Sequence, residues 1–189
     1  MKPHGYTSEG IVLTRRNFGE ADRILVLYTK DRGRISMLAK GIRRPTSKKR
    51  GHVEVFNKIK FQAVSGRGLD IMTEAEVVDD FKEVRTSLKK ISLAYYLTEV
   101  IGRITHEGEE NIEVYNLLLG SFQKLKSTKM LKKLRLNFVT ELLITTGYWP
   151  RERILSLPDE KLEEVIERQI YSERVGRRML ENTDNQKDN

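Results

Sequence analysis

The chain has no cysteine, only 7% aromatic residues and three histidines. Without cysteine there is no disulfide scaffold, no thiolate zinc site, no iron–sulfur cluster and no thiol nucleophile. His4, His52 and His106 are scattered, with no metal-ligand spacing. No apolar run approaches the roughly 18 residues of a membrane-spanning helix. The stretch from Met1 to Tyr6 lacks the apolar segment of a secretory signal, so a cytoplasmic protein is expected. Neither a Gly-x-Ser-x-Gly elbow, a P-loop nor a dinucleotide fingerprint occurs. These absences point away from catalysis, and no cofactor or metal is expected.

What is present is charge. The 189 residues include 35 Lys and Arg against 27 Asp and Glu, a formal charge of +8. Domains run to roughly 100–200 residues, so one large domain or two small ones fit. A basic balance suggests a polyanionic partner, most often nucleic acid. The charge is local: Lys30 to Lys60 holds eleven bases and two acids, whereas Asp70 to Glu83 holds six acids and one base.

The hydrophobic pattern changes period midway. Gly10–Thr14, Arg23–Thr29, Arg34–Ala39, His52–Val64 and Leu69–Val77 read as strands, separated by turn signals such as Asp31-Arg-Gly33 and Ser65-Gly-Arg-Gly68. Five short strands in succession suggest a small barrel or sandwich. Helical spacing follows from Leu88 to Ile101, Glu113 to Leu125 and Leu131 to Leu143, with a fourth helix expected over Asp159–Leu180. The boundary is expected between Phe81 and Ser87. Trp149 is read as a core plug at a helix end.

Several segments could carry chemistry. The loop Gly41–Gly51 holds five bases and no acid, which suits phosphate contacts. Arg15 and Arg16 end the first strand, and Phe18 lies in the turn after it. Phe18 is the candidate for base stacking, with Tyr28 a weaker one. A second basic cluster runs through Lys124, Lys126, Lys129, Lys132, Lys133 and Arg135. It reads as a solvated face or as an anchor for nucleic acid or an acidic peptide. Arg174, Arg177 and Arg178 complement a helix dipole and need no partner. Glu74, Glu76, Asp79 and Asp80 could instead suggest a metal-dependent nuclease, because Glu74 and Glu76 share one face of a strand.

Gly10-Ile-Val-Leu13, Phe18-Gly-Glu-Ala-Asp-Arg-Ile24, Gly33-Arg34, Ala39-Lys-Gly-Ile-Arg-Arg44 and Ser47 together resemble the amino-terminal module of the bacterial RecO recombination-mediator family. The run from Phe138 to Gly147-Tyr-Trp-Pro150 is similar to that family's helix leading into Gly-Tyr-x-Pro. The resemblance implies an OB-fold barrel followed by a helical domain. With the pattern above, the expected chain is α+β: a five-stranded OB-fold barrel over residues 1–80, an all-α helical domain over 81–181, and a polar, frayed tail over 182–189. It implies binding of single- and double-stranded DNA, strand annealing, and recombinase loading on DNA coated with single-strand-binding protein. RecR and the acidic tail of single-strand-binding protein are the partners it implies. One departure stands out. Many members carry a four-cysteine zinc module after Gly-Tyr-x-Pro, where this chain has Arg151 to Pro158 and no cysteine, so zinc is not carried over.

The expected function is therefore a non-enzymatic DNA-binding mediator of recombinational repair. Arg15, Arg16, Arg34, Lys40, Arg43, Arg44, Lys48, Lys49 and Arg50 are the expected DNA contacts. Lys129, Lys132 and Lys133 are the expected site for the acidic tail. An RNA- or ribosome-associated OB-fold protein is the alternative from another class.

Overall fold

A computed structural model describes residues 5–45, 47 and 51–167. Five strands come first: β1 (Gly5–Phe18), β2 (Asp22–Thr29), β3 (Gly33–Ala39), β4 (Lys58–Val64) and β5 (Asp70–Asp79). Helices α1 (Leu88–Ile104), α2 (Ile112–Ser127) and α3 (Leu131–Thr145) follow, and residues 158–167 form α4. The rest of the expected fourth helix lies outside the described residues.

The strands close into a barrel in the order β1-β2-β3-β5-β4. Every pairing is antiparallel except the short parallel contact of β3 with β5, which completes the closure. That order is the OB-fold, a five-stranded Greek-key barrel. Val12, Leu25, Leu27, Met37, Ile59, Phe61 and Met72 fill the interior. Their alternation with outward residues is what the period-2 pattern encodes.

β1 makes closure possible. Its first half pairs with β4 and its second half with β2, with a register shift between Val12 and Thr14. A bulge at such a point bends the strand and increases its twist. Gly10 sits where both partners meet, and a Cβ there would come within 2.9 Å of the Tyr28 carbonyl oxygen.

β1 is much longer than the apolar stretch Gly10–Thr14, because its ends pair through polar residues. β4, in contrast, begins at Lys58 rather than His52. Residues 52–57 turn instead, locked by Phe56 N–H to the Val12 carbonyl (2.8 Å) and Val12 N–H to the Asn57 carbonyl (3.0 Å). Phe56 takes a positive φ of 78° there, which no strand residue could adopt.

The outer face of β1 and β2 is also buried, through Ile11, Leu13, Ile24 and Tyr28. The Tyr115 hydroxyl of α2 donates to the Glu9 carboxylate of β1 at 2.8 Å. Phe56, Phe81 and Phe122 form a ring cluster, Phe56 lying 5.7 Å and Phe81 5.0 Å from Phe122. Asn111 caps α2 by accepting from the amides of Glu113 and Val114.

The β-to-α change falls between Asp79 and Leu88. By compactness the chain divides into one unit ending at Phe138 and a second beginning at Val139. In the second unit, Leu142, Leu143, Leu162 and Val165 are buried. Gly147, at φ 79°, ends α3. Trp149 is half-buried rather than a plug; its indole donates to the Arg153 carbonyl at 2.9 Å. Among the described residues no helix is long and apolar enough to cross a membrane.

Candidate nucleic-acid interface

Two loops meet at one end of the barrel. The β1–β2 turn reverses at Gly19 (φ 56°), and the segment after β3 reverses at Gly41 (φ 64°). Both conformations favour glycine. The Asp22 carboxylate accepts from the Gly41 amide at 2.7 Å. The Arg43 amide donates to the Ala21 carbonyl at 2.8 Å, and its guanidinium donates to the Gly19 carbonyl at 3.2 Å. Three hydrogen bonds thus fasten the β1–β2 connection to the loop carrying Arg43 and Arg44. Phe18 is the last residue of β1, paired with Asp22, rather than part of the turn.

The strand register extends this end into a face. Arg16 lies opposite Ile24, and Ile24 opposite Leu38, so the three share the outer surface. Phe18 is 50% exposed, enough to offer a ring face to a base. Arg16, Lys40 and Arg44 are exposed, and Arg43 is half-buried by its bonds to the turn. Lys48, Lys49 and Arg50 lie outside the described residues.

Three expected residues stand apart from this face. Arg15 lies opposite Leu25 of the barrel interior. Its guanidinium grips Glu54 through contacts of 2.8 and 2.7 Å. Arg23 also approaches Glu54 at 3.5 Å. Burial and the nearby Arg15 charge push the Arg23 guanidinium below its ordinary pKa. Arg34 lies across from Tyr28 near the other end of β3, where its carbonyl accepts from the Gly108 amide at 2.8 Å. Tyr28 is fully buried and cannot stack on a base. Burial, with the Glu109 charge adding, pushes its hydroxyl up to about 12.

Lys129, Lys132 and Lys133 are exposed around the start of α3. Lys126 is not part of that open patch, because its ammonium binds the Asp79 carboxylate at 2.6 Å. Gln123 and the Phe81 amide donate to Asp79 as well. Burial opposes ionisation of Asp79, but these donors outweigh it and hold the carboxyl below the usual range. Glu74 and Glu76 are exposed on β5. Among the described residues no three histidine or carboxylate side chains gather closely enough to hold a metal ion.

Sequence reasoning passed over Asp22, Glu54 and Arg85. Arg85 donates to the Val55 carbonyl (2.7 Å), the Asn57 side chain (2.9 Å) and the Asp80 carbonyl (3.2 Å), with its guanidinium over the Phe56 ring. It fastens the segment after β5 to the turns before β4. For Asp22 there was a signal, since it ends the Gly19-Glu-Ala-Asp22 stretch. Glu54 and Arg85 had none, because each acts only through residues distant in sequence.

Two family models match the chain: recombination protein O N-terminal over residues 1–81, and recombination protein O C-terminal over residues 85–153. Several curated relatives carry the name DNA repair protein RecO. That of Pelotomaculum thermopropionicum is 42% identical over 60% of this chain and 44% of its own length. That of Desulforudis audaxviator is 37% identical over 77% of this chain and 58% of its own. For Dehalococcoides mccartyi the figures are 32% identity, 85% and 64%. The chain therefore spans about half the length of the curated relatives it matches. With both halves matched in order by models of one family, the chain belongs to the recombination protein O family.

Proposed function

We propose that the protein binds DNA on the β1–β2–β3 side of its barrel and promotes pairing of complementary strands during recombinational repair, without altering a covalent bond. One observation carries this reading: the latched pair of loops gathers Arg16, Phe18, Lys40, Arg43 and Arg44 at one end of an OB barrel. Lys48, Lys49 and Arg50 follow in the same loop sequence. Cations there neutralise phosphates, and the exposed ring stacks on bases of any identity. Two strands held on one cationic surface repel each other less, so their bases can pair.

Family membership and the relatives' names support the repair context. The partners in this reading are RecR and the acidic tail of single-strand-binding protein. The tail would dock on Lys129, Lys132 and Lys133, whose exposed ammonium groups suit a carboxylate-rich peptide.

The test is annealing of two complementary labelled oligonucleotides, one pre-coated with single-strand-binding protein, across a salt series. Engaging about five phosphates gives a log–log salt slope near −3.5, from about −0.7 per phosphate on a single strand. Faster annealing that fades with salt and leaves the strands intact is the expected result. Binding without annealing overturns the mediator reading, and preference for a matched RNA oligonucleotide moves the site to RNA.

A further inference from the structure

We infer that a cleft of about 580 Å³ between α1 and the outer face of the barrel is a nucleobase pocket. In it, one unstacked base of a bound single strand would be held. The inference rests on the proposed DNA-binding role and adds a specific subsite to it.

The walls have the right chemistry. Leu13, Val26 and Val55 make an apolar lining. Tyr95, also in the lining, is 54% exposed. Its ring is set by an edge-on contact with Phe56, the centroids 4.7 Å apart and the planes at 70°. Such a ring is pre-positioned to stack rather than free to rotate. Arg34 lines the same cleft, and its Nε is buried with no hydrogen-bond partner in the protein. A buried donor without an acceptor is costly to leave so, and the rim oxygens and nitrogens of a base are acceptors. The one carboxylate in the lining, Glu99, is bound to Arg103 at 2.5 Å, so it does not set the charge of the cleft.

The cleft is also in reach of the proposed interface. Thr14 and Val26, both in the lining, face each other across β1 and β2. The next pair on that outer face is Arg16 and Ile24. Two residues along a strand span about 6.5 Å. A strand with a phosphate on Arg16 therefore brings a neighbouring base to the mouth of the cleft. The combination favours a planar heterocycle tethered to phosphate over an acidic peptide, which would find little for its side-chain carboxylates beyond Arg34, Arg15 being bound to Glu54.

Gly102 gives a clean test. It lines the cleft, and a Cβ built there meets no atom within 4 Å. Gly102→Leu fills the space and raises helix propensity, so α1 should persist, as circular dichroism would show. The probe is a dT oligonucleotide with one internal 2-aminopurine, titrated by anisotropy and base fluorescence. The wild-type chain should change 2-aminopurine emission at least twofold. Gly102→Leu should lose that change and bind roughly tenfold more weakly, the scale of one stacked base, with an unaltered salt slope. Tyr95→Ala should behave alike, and Tyr95→Phe, which keeps the ring, should restore binding. Wild-type emission and affinity in Gly102→Leu would overturn the pocket. Salt-dependent wild-type binding with no emission change would overturn the pocket alone. No wild-type binding at all would overturn the DNA-binding reading with it.

Discussion

Replacing Asp22 tests whether the two loops are held together as the geometry demands. The Asp22 carboxylate accepts a 2.7 Å bond from the Gly41 amide. A hydrogen bond to a charged group contributes about 1.5–3 kcal/mol. Asp22 is half-exposed, so the low end applies, about 1.5 kcal/mol. For a unit of this size that corresponds to a drop of about 5 °C in Tm. The two bonds from Arg43 to the turn remain, so the barrel should still close.

The comparison that isolates the latch is Asp22→Ala against Asp22→Asn. Both remove one negative charge beside the cationic loop, which by itself should strengthen DNA binding. Only alanine removes the acceptor. Asparagine keeps an oxygen for the Gly41 amide and should lose about half as much stability. Asp22→Ala should therefore melt lowest and bind DNA more weakly than Asp22→Asn, although the two carry equal charge. Calorimetric melts and anisotropy titrations at two salt concentrations would check this. Equal melting of both variants with the wild type would refute the latch and the loop placement built on it.

Two further expectations follow from the pairing of charges. Arg16→Ala should make the single-strand salt slope shallower by about 0.7 without lowering Tm. Arg15→Ala should leave the slope alone and lower Tm, because Arg15 is committed to Glu54; the reverse pattern would refute that division. Acid should weaken the Asp79–Lys126 link. The folded Asp79 carboxyl sits below its ordinary value of 3.8. Its contribution is thus complete above that value and is lost as the pH falls through the lower, folded one. Denaturant midpoints at pH 7 and pH 3 should differ less for Lys126→Met than for the wild type, and equal differences would refute the assignment.

The barrel interior was legible because period-2 alternation is a local property: Leu25, Leu27 and Met37 announce themselves. The ends of strands were not. β1 continues through Thr7, Ser8 and Glu9 at one end and Arg15, Arg16 and Asn17 at the other, and polar residues carry no strand signal when their backbone partners lie elsewhere in the chain. Val53 looked like a strand residue because it is apolar and fully buried. It enters the core from a turn, which alternation cannot distinguish. The basic loop was legible from its count of charges. Its fastening through Asp22 was not, because a carboxylate at the start of a strand reads the same whether or not an amide 19 residues away points at it. Tyr28 looked available for stacking because nothing local shows that it is buried and that its hydroxyl donates to the Asn111 carbonyl, 83 residues away, at 3.4 Å.

Charge counting also overstates what reaches a ligand. The block from Lys30 to Lys60 carries a large excess of bases, but Lys58 pairs with Glu9 at 2.9 Å. Lys60 faces Glu76 across the β4–β5 ladder, where opposite charges attract. Arg15 and Arg23, outside that block, converge on its Glu54. Of the remaining described cations of that block, Lys40 and Arg44 are exposed near Arg16 at one end of the barrel, and Lys30 and Arg32 are exposed in the β2–β3 turn at the other. Glu76 of β5 and Glu9 of β1 thus offset the two cations of β4, while the exposed Arg16, Lys40 and Arg44 stay at the end that carries Phe18. If the proposed binding face is right, screening by salt should weaken DNA binding at the end that carries Phe18 before it disturbs the partly buried pairs.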